Sequence, residues 1–431
     1  MIRRRVLIVS PHFPPSTLAG VHRARHLAKH LPAAGWQPIV LCVDESQHEE
    51  RLDPELASLL PKELDIVKVG AWPAPLTRLI GIGDIGLRAY LHLRAGLRKA
   101  IAAYEPEVVF FTGSPFYPML LASLVKKQFA LPVVLDFQDP WISRWGERQN
   151  LFSKSGLSHA LARKLEPVTV RTADFVTSVS ETQNAQLLER YPSLGKSQMA
   201  ALPIGGDPDD YDFLRVKVSS HSEVMLPADV INFTYVGTFM PRSAPVVEQL
   251  FRAVAKLRIS DPALVARLRF NFIGTSNQPN GFGNYHVRPI AEIFNVADIV
   301  AETPQRVTYL EALSLLANSN AILLLGSDEP HYTASKIYPA LLSGRPSLAV
   351  FHRFSSAYEI LSKCGGTKVL GFETADELSA LGENLVQALR DLALRPETVG
   401  NVEKSFLAPY EARNIARQFA MIFDSLVAEK G

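Results

Sequence analysis

Lys336 and Arg242 are the two cations whose surroundings most invite an anion. The run Ser327-Asp328-Glu329-Pro330-His331-Tyr332-Thr333-Ala334-Ser335-Lys336 follows an apolar strand pattern and leads into a helix pattern. A lysine in a helix's first turn opposes the positive end of the helix dipole, and a bound anion would compensate it. Arg242 lies in Thr238-Phe239-Met240-Pro241-Arg242-Ser243, just after a strand that ends at Gly237. Backbone amides at Gly237 and Thr238, together with a guanidinium that is fixed in charge and bidentate toward phosphate oxygens, suit a nucleotide diphosphate. A surface arginine with no ligand gives the same pattern.

Two further constellations lie in the first half. The loop Pro11-His12-Phe13-Pro14-Pro15-Ser16-Thr17-Leu18-Ala19-Gly20 joins a strand to a helix. Gly20 allows a close backbone approach where amides point outward, which makes a cradle for a diphosphate. A proline-rich turn without a ligand is the alternative, since no Gly-x-Gly-x-x-Gly or phosphate-loop pattern is present. In Asp136-Phe137-Gln138-Asp139-Pro140-Trp141, Asp139 follows a strand, where a carboxylate can orient or activate a hydroxyl. An aspartate before proline is also an ordinary turn starter. His12, His22 and His331 lack the paired spacing of a metal site and read as hydrogen-bonding or solvated residues, so no metal is expected.

These residues need a scaffold that gathers loops after strands. Val6-Leu7-Ile8-Val9, Pro38 to Val43, Val108 to Phe111, Pro132 to Asp136, Phe175 to Val179 and Met199 to Leu202 are short apolar runs separated by helical patterns. A second series follows with Asn232 to Val236, Leu268 to Ile273, Ala321 to Leu325 and Ser347 to Val350, interleaved with helices over Val246 to Leu257, Tyr309 to Asn318 and Lys336 to Ser343. Strand–helix alternation predicts parallel sheets covered by helices on both faces, with ligands outside the carboxyl ends of the strands. The expected organisation is an N-terminal domain over 1–206, a linker over 207–229 where Asp, Ser and Pro break the pattern, a C-terminal domain over 230–405, and a terminal helix over 406–431 that returns to the first domain. A cleft between the domains is expected.

The chain has 431 residues, 47% hydrophobic and 20% charged, which suits two globular domains and excludes a disordered chain. Net charge is +2, yet residues 1–205 carry 24 Lys and Arg against 18 Asp and Glu, and the remainder 21 against 25. A basic first half fits a solvated face, an acidic acceptor or anionic lipid. Thr77 to Tyr104 mixes Leu87, Tyr90, Leu91 and Leu97 with Arg78, Arg88, Arg94, Arg98 and Lys99, as a membrane-surface helix or a core-facing helix with a basic back would. Cys42 and Cys364 offer no disulfide framework, which points to a reducing cytoplasm. No run of about 18 apolar residues is present, so any membrane contact is expected to be peripheral.

Several segments, in order, resemble the family 4 retaining glycosyltransferases of the GT-B fold. They are the Pro14-Pro15 loop with Gly20 and Arg23 or Arg25; Asp136 to Trp141, similar to Asp-x-Arg-Asp-x-Trp; and Ala173 to Glu181. Leu202-Pro203-Ile204-Gly205-Gly206-Asp207 resembles the crossover Pro-Asn-Gly-x-Asp, Tyr235-Val236-Gly237-Thr238 the donor-domain entry, and Ser335 to Pro346 the pattern Lys-x-x-Glu-Tyr-x-x-x-Gly-x-Pro. The resemblance implies two Rossmann-like doubly wound domains and a nucleotide-sugar donor bound by the C-terminal one. Gly237, Thr238, Arg242, Glu329, Ser335 and Lys336 would hold the donor, with Gly20 opposite and Asp139 on the acceptor side. Transfer would proceed with retention, without an obligatory metal or separate cofactor. The family's paired glutamates on the donor loop are replaced here by His331 and Pro339, and its crossover Asn by Ile204.

The function expected is transfer of a sugar to a polysaccharide, lipopolysaccharide or lipid-linked acceptor, in the cytoplasm or on the inner face of an anionic membrane, with no nucleic-acid partner. A catalytically reduced GT-B protein serving as a partner in a polysaccharide assembly complex is the alternative. A nucleotide-sugar epimerase, which needs no acceptor, is a third reading.

Overall fold

The computed structural model describes residues 4–216, 224–276, 283–328 and 335–429. They form two compact units, one of Met1–Ile204 with Ala412–Gly431 and one of Gly205–Glu411.

The first unit is built on a parallel sheet of β1 (Arg4–Val9), β2 (Trp36–Val43), β3 (Asp65–Val69), β4 (Val108–Gly113), β5 (Val133–Phe137), β6 (Phe175–Ser178) and β7 (Met199–Ala201). Their order is β3-β2-β1-β4-β5-β6-β7. The apolar runs of β1, β2 and β4 become strands because both faces of each are covered, and alternate side chains serve opposite cores. Leu7, Val9, Ile39 and Leu41 pack with Leu93 and Leu97 of the helix Tyr90–Tyr104. Val6, Ile8 and Val40 pack with Ala24 and Leu27 of the helix Val21–His30.

The second core also takes the C-terminal helix Ala412–Ala428, whose Ile415, Phe419, Ile422, Phe423 and Leu426 recur at helical spacing. Phe419 meets Phe110 edge-on at 5.2 Å and Phe423 meets Trp36 at 5.3 Å. The end of the chain is thus part of the first unit's core.

The second unit carries β8 (Ile231–Val236), β9 (Leu268–Ile273), β10 (Val300–Thr303), β11 (Ala321–Leu325), β12 (Ser347–His352) and β13 (Thr367–Phe372), all parallel, in the order β10-β9-β8-β11-β12-β13. Phe233, Tyr235, Leu323 and Leu325 face the helix Ala244–Ser260, while Ile322, Leu324, Ala349 and Phe351 pack with Ile337 and Tyr338 on the other side. In both sheets the chain reverses its winding direction at the first strand, between β1 and β4 and between β8 and β11. Loops at such a switch point diverge and leave room for a ligand.

Two local expectations change. Residues 208–216 are a helix of the second unit, Pro208–Val216, where the sequence reading has irregular linker. Pro208 at its start with Asp209 and Asp210 in the first turn is a good helix opening, and Asp210 accepts from the Tyr309 hydroxyl at 2.9 Å. The strands β3, β10 and β13 lie where no strand is expected, and all of them are sheet edges.

Candidate functional site

In the second unit, β8 and β11 run side by side, with Ala321 opposite Phe233 and Ile322 opposite Thr234. Gly237 follows β8 at φ +134°, a conformation that side chains other than hydrogen resist, and its amide donates to Ile273 O at 2.8 Å. The loop after β11 returns at Ser335 and Lys336, and Lys336 caps the short helix Ile337–Leu342. Its Nζ donates to the Tyr235 hydroxyl at 2.5 Å and stands 4.1 Å from the centroid of the same ring. Tyr235 Oη donates in turn to Thr238 O at 2.9 Å, and burial pushes the phenol well above its usual pKa, so it remains a neutral donor and acceptor.

A Cβ on Gly237 would stand 3.8 Å from Lys336 Nζ. Lys336, Tyr235, Gly237 and Thr238 therefore converge at the switch point of the second sheet. The ring and hydroxyl of Tyr235 already accommodate the ammonium, so the tension with the helix dipole does not by itself require a bound anion. Arg242 is exposed in the turn Pro241–Ser243 that opens the helix Ala244–Ser260. Ser335 is half-buried beside Lys336. Glu329 and His331 lie outside the described residues. Pro339 sits inside the helix Ile337–Leu342 with its carbonyl accepting from the Tyr211 hydroxyl at 2.8 Å.

The first unit holds a cavity of about 400 Å³ whose walls include His12, Gly20, Glu50, Asp84, Arg88 and Asp139. His12 and Gly20 lie in the loop after β1, Glu50 after β2 and Asp139 after β5, while Asp84 caps the helix Ile85–Arg88 that carries Arg88. Gln138 binds two of the loops together, because its Nε2 donates to Gly20 O at 3.1 Å and to Thr112 Oγ1 at 2.7 Å. That tie sets Gly20 and Asp139 in one wall of the cavity.

Asp139 has an exposed surface, yet desolvation raises its carboxyl above the usual range. The two facts agree for a group that reaches water within a concave wall. Asp84 is raised by burial too, against the pull of the Leu87 amide and His12. Arg88 is buried and donates to Trp72 O at 2.9 Å and Gln47 O at 3.1 Å, so it braces the wall. Desolvation first and the Arg25 guanidinium second bring His22 down to about 3, which keeps its ring neutral at ordinary pH.

Sequence reasoning misses His48, Glu50 and Asp84, which stand far from any motif. The usable signal was the adjacency of β1 and β2, since neighbouring parallel strands bring the loops after them together. His12 is found bonded to Glu50, in keeping with its reading as a hydrogen-bonding residue. His12, His48 and Glu50 offer three ligand atoms within reach of one ion.

Residues 19–205 match the family model of the glycosyl transferase 4-like domain. No curated protein sequence matches the chain. Among solved structures, sucrose-phosphate synthase from Thermosynechococcus elongatus is similar at 16% identity and TM-score 0.65, covering 99% of this chain and 100% of that one. A glycosyltransferase from Rickettsia africae aligns at 14% identity and TM-score 0.62, over 99% of each chain. HepE from Anabaena, in complex with UDP-glucose, aligns at 14% identity and TM-score 0.60, over 98% of this chain and 99% of that one. The architecture is thus that of the GT-B fold, two Rossmann-like α/β units.

Proposed function

We propose that the protein, whose residues 19–205 match the glycosyl transferase 4-like domain model in a chain of GT-B fold, transfers a sugar from a nucleotide-sugar donor to a saccharide or lipid-linked acceptor, with retention. The second unit binds the donor at Lys336, Gly237, Thr238 and Arg242. The pocket of the first unit receives the acceptor beside Asp139. No separate cofactor is part of this reading.

The observation that carries it is the placement of Lys336. Its ammonium is held by Tyr235 at the switch point of the second sheet, over a glycine that leaves the approach open. A cation fixed before the reaction stabilises charge that grows on a departing diphosphate without reorganising. Arg242 adds a planar donor at the head of a long helix, whose dipole favours the same anion. Asp139, on the acceptor side, is a carboxylate whose raised pKa suits proton exchange with a hydroxyl.

HepE is solved with UDP-glucose, so uridine nucleotides are the first donors to test. Thermal unfolding of the protein should shift upward with one nucleoside diphosphate at millimolar concentration, and Lys336→Ala should abolish the shift. Absence of any nucleotide effect on the wild type would overturn the reading.

Cytoplasmic placement with peripheral contact to an anionic membrane fits a surface of the first unit. Trp72, Leu76, Leu79, Ile80 and Leu91 are exposed there, alongside Arg78, Arg94, Arg98 and Lys99. Among the described residues no helix is long and apolar enough to cross a membrane.

A further inference from the structure

We propose that His12, His48 and Glu50 bind one divalent transition-metal ion, with zinc as the first ion to test, at the edge of the first unit's pocket. The strands β1 and β2 are neighbours, and the loops after them carry His12 on one side and His48 with Glu50 on the other. His12 Nδ1 and His48 Nδ1 are 3.2 Å apart, and Glu50 Oε1 lies 3.1 Å from the first and 2.9 Å from the second. An ion about 2.1 Å from each of three ligands separates them by about 3.0 Å in octahedral and about 3.4 Å in tetrahedral geometry, so the triangle fits.

The tautomer of His48 makes the stronger case. Its Nε2 stands 3.2 Å from the carbonyl of Val43, which can only accept, so Nε2 carries the hydrogen. The neutral ring then directs the Nδ1 lone pair at a carboxylate oxygen and a second ring nitrogen. His48 Nδ1 and Glu50 Oε1 are then two acceptors 2.9 Å apart, and a cation between them, a metal ion or an added proton on the His48 ring, relieves that conflict. A ring nitrogen tied to a backbone carbonyl while its partner faces a carboxylate is the arrangement that orients histidine toward a metal.

The surroundings favour a held ion over an exchanging one. The side chain of His48 is 1% exposed, that of His12 12% and that of Glu50 18%. The Ser16 hydroxyl donates to Glu50 Oε1 at 2.5 Å and fixes that oxygen beside the two rings. A set of two imidazoles and one carboxylate suits zinc and its neighbours, and hardly magnesium or calcium.

Because His12 and Glu50 line the pocket while His48 does not, the ion's remaining positions open onto the cavity that also holds Asp84 and Asp139. An oxygen of a bound molecule, such as a hydroxyl or carboxylate, would complete the shell. This last step rests on the acceptor reading of the pocket; the binding of the ion does not.

The test is calorimetric titration of chelator-treated full-length protein with Zn²⁺, and optical titration with Co²⁺, in the absence of any nucleotide or acceptor. One equivalent should bind, with Co²⁺ giving the visible bands of nitrogen and oxygen ligation. His48→Gln and Glu50→Gln should each weaken binding by at least about 100-fold. His12→Asn, at the more open corner, carries the same expectation and decides the matter if His48→Gln does not fold. No uptake of either ion at 100-fold excess, or uptake unchanged in His12→Asn and Glu50→Gln, overturns the proposal and leaves a proton in the ion's place.

Discussion

Arg23 Nε donates to Asp136 Oδ2 at 3.1 Å, with the two side chains 1% and 0% exposed. The carboxylate is completed by Thr112 at 2.8 Å and Thr177 at 2.7 Å, and the guanidinium by the carbonyls of Leu202 and Pro203 and the face of Phe419. One ion pair thereby joins the first helix, the three strands β4, β5 and β6, the end of β7 and the C-terminal helix of the first unit.

Removing one partner of such a pair strands a buried charge, at a cost of about 3–5 kcal/mol. Asp136→Ala should therefore lower stability by that amount in denaturant unfolding, whereas Arg23→Met with Asp136→Leu should lose much less. Equal losses in the single and double variants would show that packing, and not charge pairing, governs the site.

This pair also marks where the sequence misleads. Arg23 and Asp136 belong to segments that resemble functional motifs, yet both are fully buried and satisfied within the first unit. Asp139, three residues on in the same segment, is the carboxylate that reaches the pocket. Sequence order cannot separate them, because the division is made by the tight turn after β5. The central strands were legible since both faces are covered and the apolar run is continuous. The edge strands β3, β10 and β13 carry Lys68, Glu302 and Lys368 on half-exposed faces, so no such run exists to be read. His48 and Glu50 were invisible for another reason, as their meeting with His12 depends on β2 lying beside β1.

Lys336→Ala should reduce transfer by about 10²–10³-fold in kcat, the range for loss of one preorganised charge-stabilising donor. Tyr235→Phe separates positioning from charge, since it keeps the ring beneath the ammonium and removes only the hydroxyl bonded to Lys336 and Thr238. Its loss should be smaller and should be seen mainly in kcat if Lys336 acts on the leaving group. Steady-state kinetics with the donor found by thermal shift measures both.

Gly237→Ala tests the approach rather than the charge. The backbone at φ +134° resists a side chain, so the fold should be destabilised by about 1–3 kcal/mol. Thermal unfolding in the absence of ligand reads that cost, and titration with the donor shows whether affinity falls further.

Asp139 yields a prediction with a defined sign. Its folded pKa lies above its unfolded one because of desolvation, so the folded state holds the proton more tightly. Stability then falls as pH rises from the unfolded pKa, about 3.9, through the raised folded value. Asp139→Asn removes that loss and should melt no lower than wild type at pH 7, with a flatter profile between pH 4 and 7. Transfer should meanwhile drop sharply if Asp139 handles the acceptor's proton. A variant less stable at pH 7 yet fully active would reverse both assignments.

The exposed face of the first unit gives the last prediction. Leu79 and Ile80 are 83% and 75% exposed, next to Arg78, and the outer side of the helix Tyr90–Tyr104 presents Leu91, Arg94, Arg98 and Lys99. The inner side of that helix, with Leu93, Leu97 and Ile101, is spent on the core, so the basic side is not needed for folding. Each basic residue near an anionic bilayer contributes about 1 kcal/mol, and apolar side chains add to it by insertion. Co-sedimentation with phosphatidylserine vesicles should be strong at low salt, weaken as salt rises, and fall in Arg94→Glu with Arg98→Glu. Leu79→Ser with Ile80→Ser should weaken it at every salt concentration, because the apolar part is not screened. Both variants should keep stability within about 0.5 kcal/mol of wild type. Vesicle binding that ignores salt and all four substitutions would place the membrane contact elsewhere, and no binding at low salt would remove the peripheral reading.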